Sequence, residues 1–477
     1  MSCNEAIIRE SDDCPREFCG IFGIFGDQEA AEKTYLGLYA LQHRGQESSG
    51  IAATDGKEIS LHRGMGLVWS VFQDPYIMPR LSGKAAIGHN RYSTTGSSDL
   101  MNSQPILIRS RGSQIAAAHN GNLVNASELR NMLENKGAIF QTTSDSEIVL
   151  HLIARSKKAS IDEKIEDSLI QLSGAYCFVF LTPSKLIAAR DPQGFRPLCI
   201  GRAGDAFVVA SESCACDIIA ADYIRSVKPG EIVVIDERGI SSRFMPPRDP
   251  KAFCVFEYIY FSRPDSIIFD EKVDKVRRLL GKKLAEEAPC EADIVIAIPD
   301  SANTAAIGYS QASGIRFEIG LIRNHYVGRT FIAPHQNARD LDVRIKFNPV
   351  TGVLRGKRVV VVEDSIVRGT TLKQLIHLIR SAGASEVHVR VSSPPVVSPC
   401  FYGIDISSRG ELIASSHRVE DTCRHIEADS LAYLSVAGML SVVPKGNLQC
   451  TACFTGNYPT KVPENFSKEI FAQSRGE

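Results

Sequence analysis

The chain has 477 residues, 54 basic and 55 acidic side chains (net charge −1), and is 44% apolar and 23% charged. That length is too great for one compact core and calls for two large domains or about three of ~150 residues. The balanced charge argues against a nucleic-acid partner, and no apolar run approaches the ~18–20 residues that cross a bilayer. Met1 to Asp13 lacks both the apolar core of a signal peptide and the Arg-rich, acid-poor texture of a mitochondrial presequence, so a cytoplasmic enzyme is expected. The 13 cysteines are odd in number and scattered, which does not describe a disulfide framework. Cys3, Cys14, Cys177, Cys199, Cys214, Cys216, Cys290 and Cys423 are expected to be reduced.

In chain order, residues 1–18 are polar and acidic without periodicity and read as a tail. From Cys19 the texture changes to short apolar runs broken by glycines. Strands are expected in Cys-Gly-Ile-Phe-Gly-Ile-Phe-Gly, Ala-Ala-Ile-Gly-His-Asn-Arg and Ile-Ala-Ala-Ala-His-Asn-Gly-Asn-Leu, then at Ala175–Leu181, Ala206–Ala210 and Glu231–Ile235. Helices are expected at Ala30–Leu41, Ala126–Lys136 and Asp145–Arg155. Strands at hairpin-like spacing with packed helices predict a layered α+β domain. Arg243–Pro250, with three prolines and mixed charge, reads as a linker. Beyond it the elements alternate: helix Asp274–Glu287, strand Asp293–Ile298, helix Ala302–Ala312, strand Val359–Val362, its helix, and strand Val387–Val391. That alternation predicts a parallel α/β sheet. The last ~30 residues return to polar, irregular sequence, a texture expected of a tail.

Residues 357–379 are the most informative segment. A four-valine run reads as a strand buried on both faces, and it ends in Glu363 and Asp364. A loop with Ser365, Gly369, Thr370 and Thr371 follows, then a helix with Leu372, Leu375, Ile376 and Ile379 on one stripe. This order sets backbone N–H groups and a helix N-terminus where a phosphate sits. The acid pair is suited to accept hydrogen bonds from vicinal sugar hydroxyls or to lie close to a metal. From Val360 to Thr371 the segment resembles the phosphoribosyl diphosphate (PRPP) signature of type I phosphoribosyltransferases, with Glu363 a mild departure. The resemblance implies PRPP contacts from Glu363, Asp364, Ser365, Val367, Arg368, Gly369, Thr370 and Thr371. Asp300 and Ser301, in Ile-Pro-Asp-Ser, match its pyrophosphate-side loop, and Ser301, Glu363 and Asp364 are implied to surround one Mg2+ per subunit. Arg323–Asp340, with Arg329, resembles the loop that closes over PRPP.

The amino-terminal half concentrates a different chemistry. An amino-acid ligand needs partners for its carboxylate and its ammonium, with amide contacts besides. Arg91, Asp145, and Asn120 with Gly121 for an oxyanion meet that need. Cys19, His43-Arg-Gly-Gln-Glu-Ser-Ser-Gly50, Gly88-His-Asn-Arg-Tyr-Ser-Thr94, His119-Asn-Gly-Asn122 and Ser144-Asp-Ser-Glu147, in this order, resemble the class II glutamine amidotransferase domain, an N-terminal-nucleophile hydrolase. The resemblance runs from Cys19 to about residue 240. It implies that Cys19 is the nucleophile and that its own α-amine, with an ordinary pKa of about 7.7–8.0, is the base. Cys19 is internal here, so residues 1–18 are expected to be removed as a propeptide. The leader ends Pro15-Arg16-Glu17-Phe18, where some relatives end in Glu.

Cys450-Thr-Ala-Cys453 is a C-x-x-C pair, weak alone because a closed site needs four ligands. The chain as a whole resembles the glutamine PRPP amidotransferases, in their iron–sulfur, propeptide-bearing subclass, and that resemblance supplies Cys254 and Cys400. Four thiolates suit either zinc or an iron–sulfur centre; the resemblance implies one structural 4Fe–4S cluster per subunit. It further implies a propeptide at 1–18, a glutamine amidotransferase domain at 19–242 (αββα layers), a phosphoribosyltransferase domain at 251–445 and a ligand-bearing tail at 446–477. Glutamine and PRPP are the implied substrates and 5-phosphoribosylamine the product, with purine nucleotide feedback inhibitors and a homotetramer. Glucosamine-phosphate synthases and asparagine synthetases share the first half, but neither uses PRPP.

Overall fold

The computed structural model describes residues 19–92, 98–110, 112–325, 345–406 and 408–462. The described residues between 20 and 244 build two stacked antiparallel sheets with covering helices. In the seven-stranded sheet the order is Asp222–Ser226, Cys199–Ala203, Ala206–Ala210, Gly20–Phe25, Ala85–Arg91, Ser48–Thr54, Ile59–Met65. In the six-stranded sheet it is Gly239–Phe244, Glu231–Asp236, Lys185–Arg190, Gly174–Thr182, Ser113–Leu123, Ile106–Ser110. Alternate residues face inward, so Ile21, Ile87, Ala118, Val179 and Ala188 fill the space between the sheets. Helix Ala30–Ala40 covers the outer face of the first sheet. Helices Ala126–Glu134, Ser146–Arg155 and Ile161–Leu169 cover that of the second. These are the αββα layers expected from the sequence. Helix Ile161–Leu169 was not anticipated there, although Ser160 and Glu163 close a reciprocal capping box at its start.

The carboxy-terminal half carries a parallel sheet of Ile294–Ala297, Arg358–Glu363, Glu386–Val391 and Ser430–Tyr433. The valine run divides as a doubly buried strand must. Val360 and Val362 face helices Val273–Glu287 and Asn303–Ser313, while Val359 and Val361 face helix Thr370–Ser381. Strand Gly239–Phe244 extends into the expected linker, whose first two residues complete a ladder with Glu231 and Ile232. The tail is not detached: Gln449 and Cys450 pair in parallel with Phe253 and Cys254.

A buried ion network joins the halves. Arg44 donates to Glu212 and to Glu257 (2.7 Å), and Arg196 donates to the other oxygen of Glu257 at 3.1 Å. All four side chains are fully buried. Burial resists ionisation of Glu212, but Arg44, His43 and Ser266 outweigh it and hold the carboxyl well below the usual range.

Candidate active sites

The first site lies where the two antiparallel sheets meet. Cys19 enters strand Gly20–Phe25, Arg91 ends strand Ala85–Arg91, Gly121 lies on strand Ser113–Leu123, and Asp145 precedes helix Ser146–Arg155. These four line one pocket with Tyr92, Gln104, His119, Ser144 and Ser146. The Cys19 thiol donates to the Tyr92 carbonyl at 3.7 Å, and burial pushes it up to about 11, against the pull of that hydrogen bond and of Arg91. A thiol so placed stays protonated at neutral pH until a base takes its proton.

Asp145 is buried, which opposes ionisation. His119, the Leu123 N–H (2.9 Å) and Ser146 outweigh that and keep the carboxyl below its ordinary value. Asn120 is fully buried, and neither polar atom of its amide has a hydrogen-bond partner among the described residues. A buried amide left open in this way is poised for a ligand. Gly121 has φ +150°, and a Cβ there would lie 2.1 Å from the Ala175 carbonyl oxygen, so no other residue fits without moving the strand. The sequence-expected set Cys19, Arg91, Asn120, Gly121 and Asp145 is therefore gathered in one region. His119, which stacks on Phe178 and bonds Ser146 Oγ at 3.0 Å, was not singled out. Its signal was its place in His-Asn-Gly.

The second site is built mainly from one segment. Strand Arg358–Glu363 delivers Glu363 and Asp364, 8% and 3% exposed. Asp364 accepts from Ser301 Oγ and from Ser365 Oγ, each at 2.5 Å. Burial raises Asp364 above its ordinary value despite these bonds. Gly369, at φ +81°, turns the chain into helix Thr370–Ser381. Val367 sends its side chain into the core while its carbonyl accepts from Ile413 N–H at 2.9 Å, so its backbone alone faces the loop. Arg368 pairs with Glu411 at 2.5 Å, and Arg323 reaches Asp300 at 3.3 Å. The Pro299–Asp300 peptide is cis. Arg329 and most of the expected closing loop lie outside the described residues. Arg277, which no motif marks, lowers Asp364 electrostatically and donates to the carbonyls of Tyr258, Tyr260 and Ser262. A charge inside the apolar stripe Val273, Val276, Leu280, Leu284 was its signal.

The four cysteines of the expected metal site also converge. Cys254 pairs with Cys450 across the short parallel bridge. Burial, then the charges of Cys450, Cys254 and Cys400, raise Cys453 well above the ordinary thiol value. The Tyr402 N–H donates to Cys400 Sγ at 3.4 Å. No three His, Cys, Asp or Glu side chains among the described residues are drawn around a single-ion position.

Comparison with known proteins resolves what two such sites do on one chain. A glutamine amidotransferase domain matches residues 89–217 and a phosphoribosyl transferase domain matches residues 267–393. The chain is 52% identical to amidophosphoribosyltransferase of Bacillus subtilis (strain 168), over 94% of this chain and 95% of the relative. It is 49% identical to that of Archaeoglobus fulgidus, over 93% and 98%. The chain belongs to the amidophosphoribosyltransferase family. The solved structure of glutamine PRPP amidotransferase from B. subtilis complexed with ADP and GMP agrees with the fold at a TM-score of 0.90 and 51% identity, covering 94% of this chain and 99% of that one. A second structure, of the allosteric regulatory enzyme of purine biosynthesis, gives the same TM-score and identity. As an amidophosphoribosyltransferase (EC 2.4.2.14), it moves ammonia from glutamine to C1 of PRPP, giving 5-phosphoribosylamine, glutamate and diphosphate in purine biosynthesis. The expected two-domain fold and activity are borne out. No helix among the described residues is long and apolar enough to cross a membrane.

Proposed function

We propose that Cys19 is the glutamine nucleophile and that its free α-amine, exposed by removal of residues 1–18, is the base. The observation that carries this reading is the shared pocket of Cys19, Arg91, Gly121 and Asp145. Arg91 binds the substrate α-carboxylate and Asp145 its α-ammonium. The amine takes the thiol proton as sulfur attacks the amide carbon, and the Asn120 amide and Gly121 N–H hold the oxyanion. Ammonia leaves with that proton, and water then cleaves the thioester to glutamate. Burial of the site excludes solvent from this exchange.

In the transferase half, Asp300, Ser301, Glu363, Asp364, Ser365, Val367, Arg368, Gly369, Thr370 and Thr371 bind PRPP, with Arg329 joining from the closing loop. The loop N–H groups and the N-terminus of helix Thr370–Ser381 cradle the 5-phosphate. Asp364 and Glu363 orient the ribose. Ser301, Glu363 and Asp364 are all-oxygen donors that fit one Mg2+ per subunit. That ion, when bound, neutralises charge on the departing diphosphate. Cys254, Cys400, Cys450 and Cys453 hold one structural 4Fe–4S cluster per subunit, a reading supported by the Cys254–Cys450 bridge and by the reach of the Cys450, Cys254 and Cys400 charges to Cys453.

The domain limits are 19–242 and 251–445, with a propeptide at 1–18 and a cluster-bearing tail at 446–477. The ADP and GMP bound to the B. subtilis relative support purine nucleotide feedback. We take the enzyme to be a cytoplasmic homotetramer. Intact mass, metal analysis and a visible spectrum of protein purified without oxygen test the reading together. The expected result is a mature chain beginning at Cys19 with about four irons. Fully active protein that retains residues 1–18 overturns the nucleophile's base, and stoichiometric zinc without iron overturns the cluster.

A further inference from the structure

Strand Ser113–Leu123 serves the Cys19 pocket and also touches the other half of the molecule. Asn120 and Gly121 belong to the first task. Two residues on from Asn120, and on the same face of the strand, Asn122 is 3% exposed and donates its Nδ2–H to the Phe401 carbonyl at 2.9 Å. Phe401 follows Cys400 directly. The next carbonyl, that of Tyr402, accepts from Arg196 Nη2 at 2.7 Å. Val124 and Ala175, at the exit of the strand and on its neighbour, pack with Phe195 and Tyr402. The loop of the carboxy-terminal half is thus clasped at two consecutive carbonyls, and one clasp is made by the strand that carries the open Asn120 amide.

An oxyanion donor works only if its position is held before the charge develops, to within about 0.5 Å. The Gly121 backbone, at φ +150° and pressed on Ala175, leaves the strand end without side-chain interlocking at that residue. On its own face Asn120 is flanked by Ala118, packed between the sheets, and by Asn122, whose side chain is held by a hydrogen bond. We propose that Asn122 is a positioning residue for the glutamine half-reaction, its hydrogen bond to the Phe401 carbonyl aiming Asn120 and Gly121 at the reacting amide. The proposal rests on the assignment of Asn120 and Gly121 as oxyanion donors. It makes a transferase-half loop part of the geometry of the glutamine site.

Asn122→Ala and the similarly sized Asn122→Leu test it, by steady-state kinetics with glutamine and separately with added ammonia, alongside Asn120→Ala. In both Asn122 variants kcat with glutamine is expected to fall about 10- to 100-fold, less than or equal to the loss from a donor itself. KM for glutamine should stay within about twofold and ammonia-dependent synthesis should be unchanged. Wild-type kcat in the Asn122 variants, with Asn120→Ala impaired, overturns the proposal while sparing the oxyanion assignment. So does a parallel loss of both activities, which makes Asn122 merely structural. A silent Asn120→Ala overturns the assignment, and the proposal falls with it.

Discussion

The proposed ribosyl site draws Glu363, Asp364, Ser365, Gly369 and Thr370 from one continuous strand–loop–helix segment and adds Asp300, Ser301 and Arg329 from elsewhere, whereas the proposed glutamine site takes Cys19, Arg91, Gly121 and Asp145 from four separate elements. In the first, local backbone geometry sets most of the spacing: a buried strand end, a left-handed Gly369 and a helix start. In the second, spacing depends on how two sheets stack and on ties that reach into the other half, through Arg44, Arg196 and Asn122. Distant substitutions should therefore disturb the glutamine site before they disturb the ribosyl site.

The sharpest way to separate the two is Cys19→Ala. Glutamine-dependent synthesis should fall roughly 10⁴-fold or more, while synthesis from added ammonia persists because the second site is intact. Loss of both in a folded variant breaks the comparison. Next in size is Arg44→Met, which removes the guanidinium shared by two buried carboxylates, leaving Glu257 with Arg196 and Glu212 with His43 and Ser266, and should cost about 3 kcal/mol in denaturant unfolding. Gly45 lies against the Asn90 and Arg91 backbone, so glutamine KM should rise while PRPP use with ammonia changes little. A variant of parental stability would mean that the network is dispensable.

Asp364→Asn tests the local site in the opposite sense. Loss of a charged hydrogen-bond partner should cost about 1.5–3 kcal/mol, or roughly 10- to 150-fold in PRPP use. Basal glutamine hydrolysis should remain, but PRPP should no longer stimulate it well. Normal PRPP dependence would leave the segment as a strand and nothing more.

The smallest effect concerns His89, fully buried with Nε2 on the carbonyl of His119, a residue that lines the Cys19 pocket. Burial lowers its pKa to about 3 from an ordinary 6.5. The folded form therefore binds fewer protons than the unfolded one below about pH 6.5. Stability is full above that pH and declines as pH falls toward about 3. In His89→Gln this share of the acid loss should vanish, which unfolding midpoints at pH 7 and pH 5 would detect; an unchanged difference between them counts against it.

Much of the molecule was legible before any fold was known. The valine run, the acid pair and the helix stripe after them are consecutive, so chain order carries their geometry, and the parallel sheet followed from regular alternation. The glutamine residues were legible only as a linked set of motifs, since nothing in local spacing brings Cys19 to Asp145. Helix Ile161–Leu169 went unread because its polar stripe outweighed a correct start signal. Arg277 and His119 were passed over because their partners lie on other elements.

What the sequence determined by itself was the chemistry available and the order of its elements: a thiol at the head of a glycine-rich strand, a carboxylate pair closing a valine strand, thiols near the linker and the tail. Tertiary structure alone decided that the Asn120 amide is left open, that Asn122 reaches the Phe401 carbonyl, and that Cys254 pairs with Cys450. The reason is physical. Backbone preferences act over a few residues, whereas these contacts exist only once two sheets and two halves have excluded water between them.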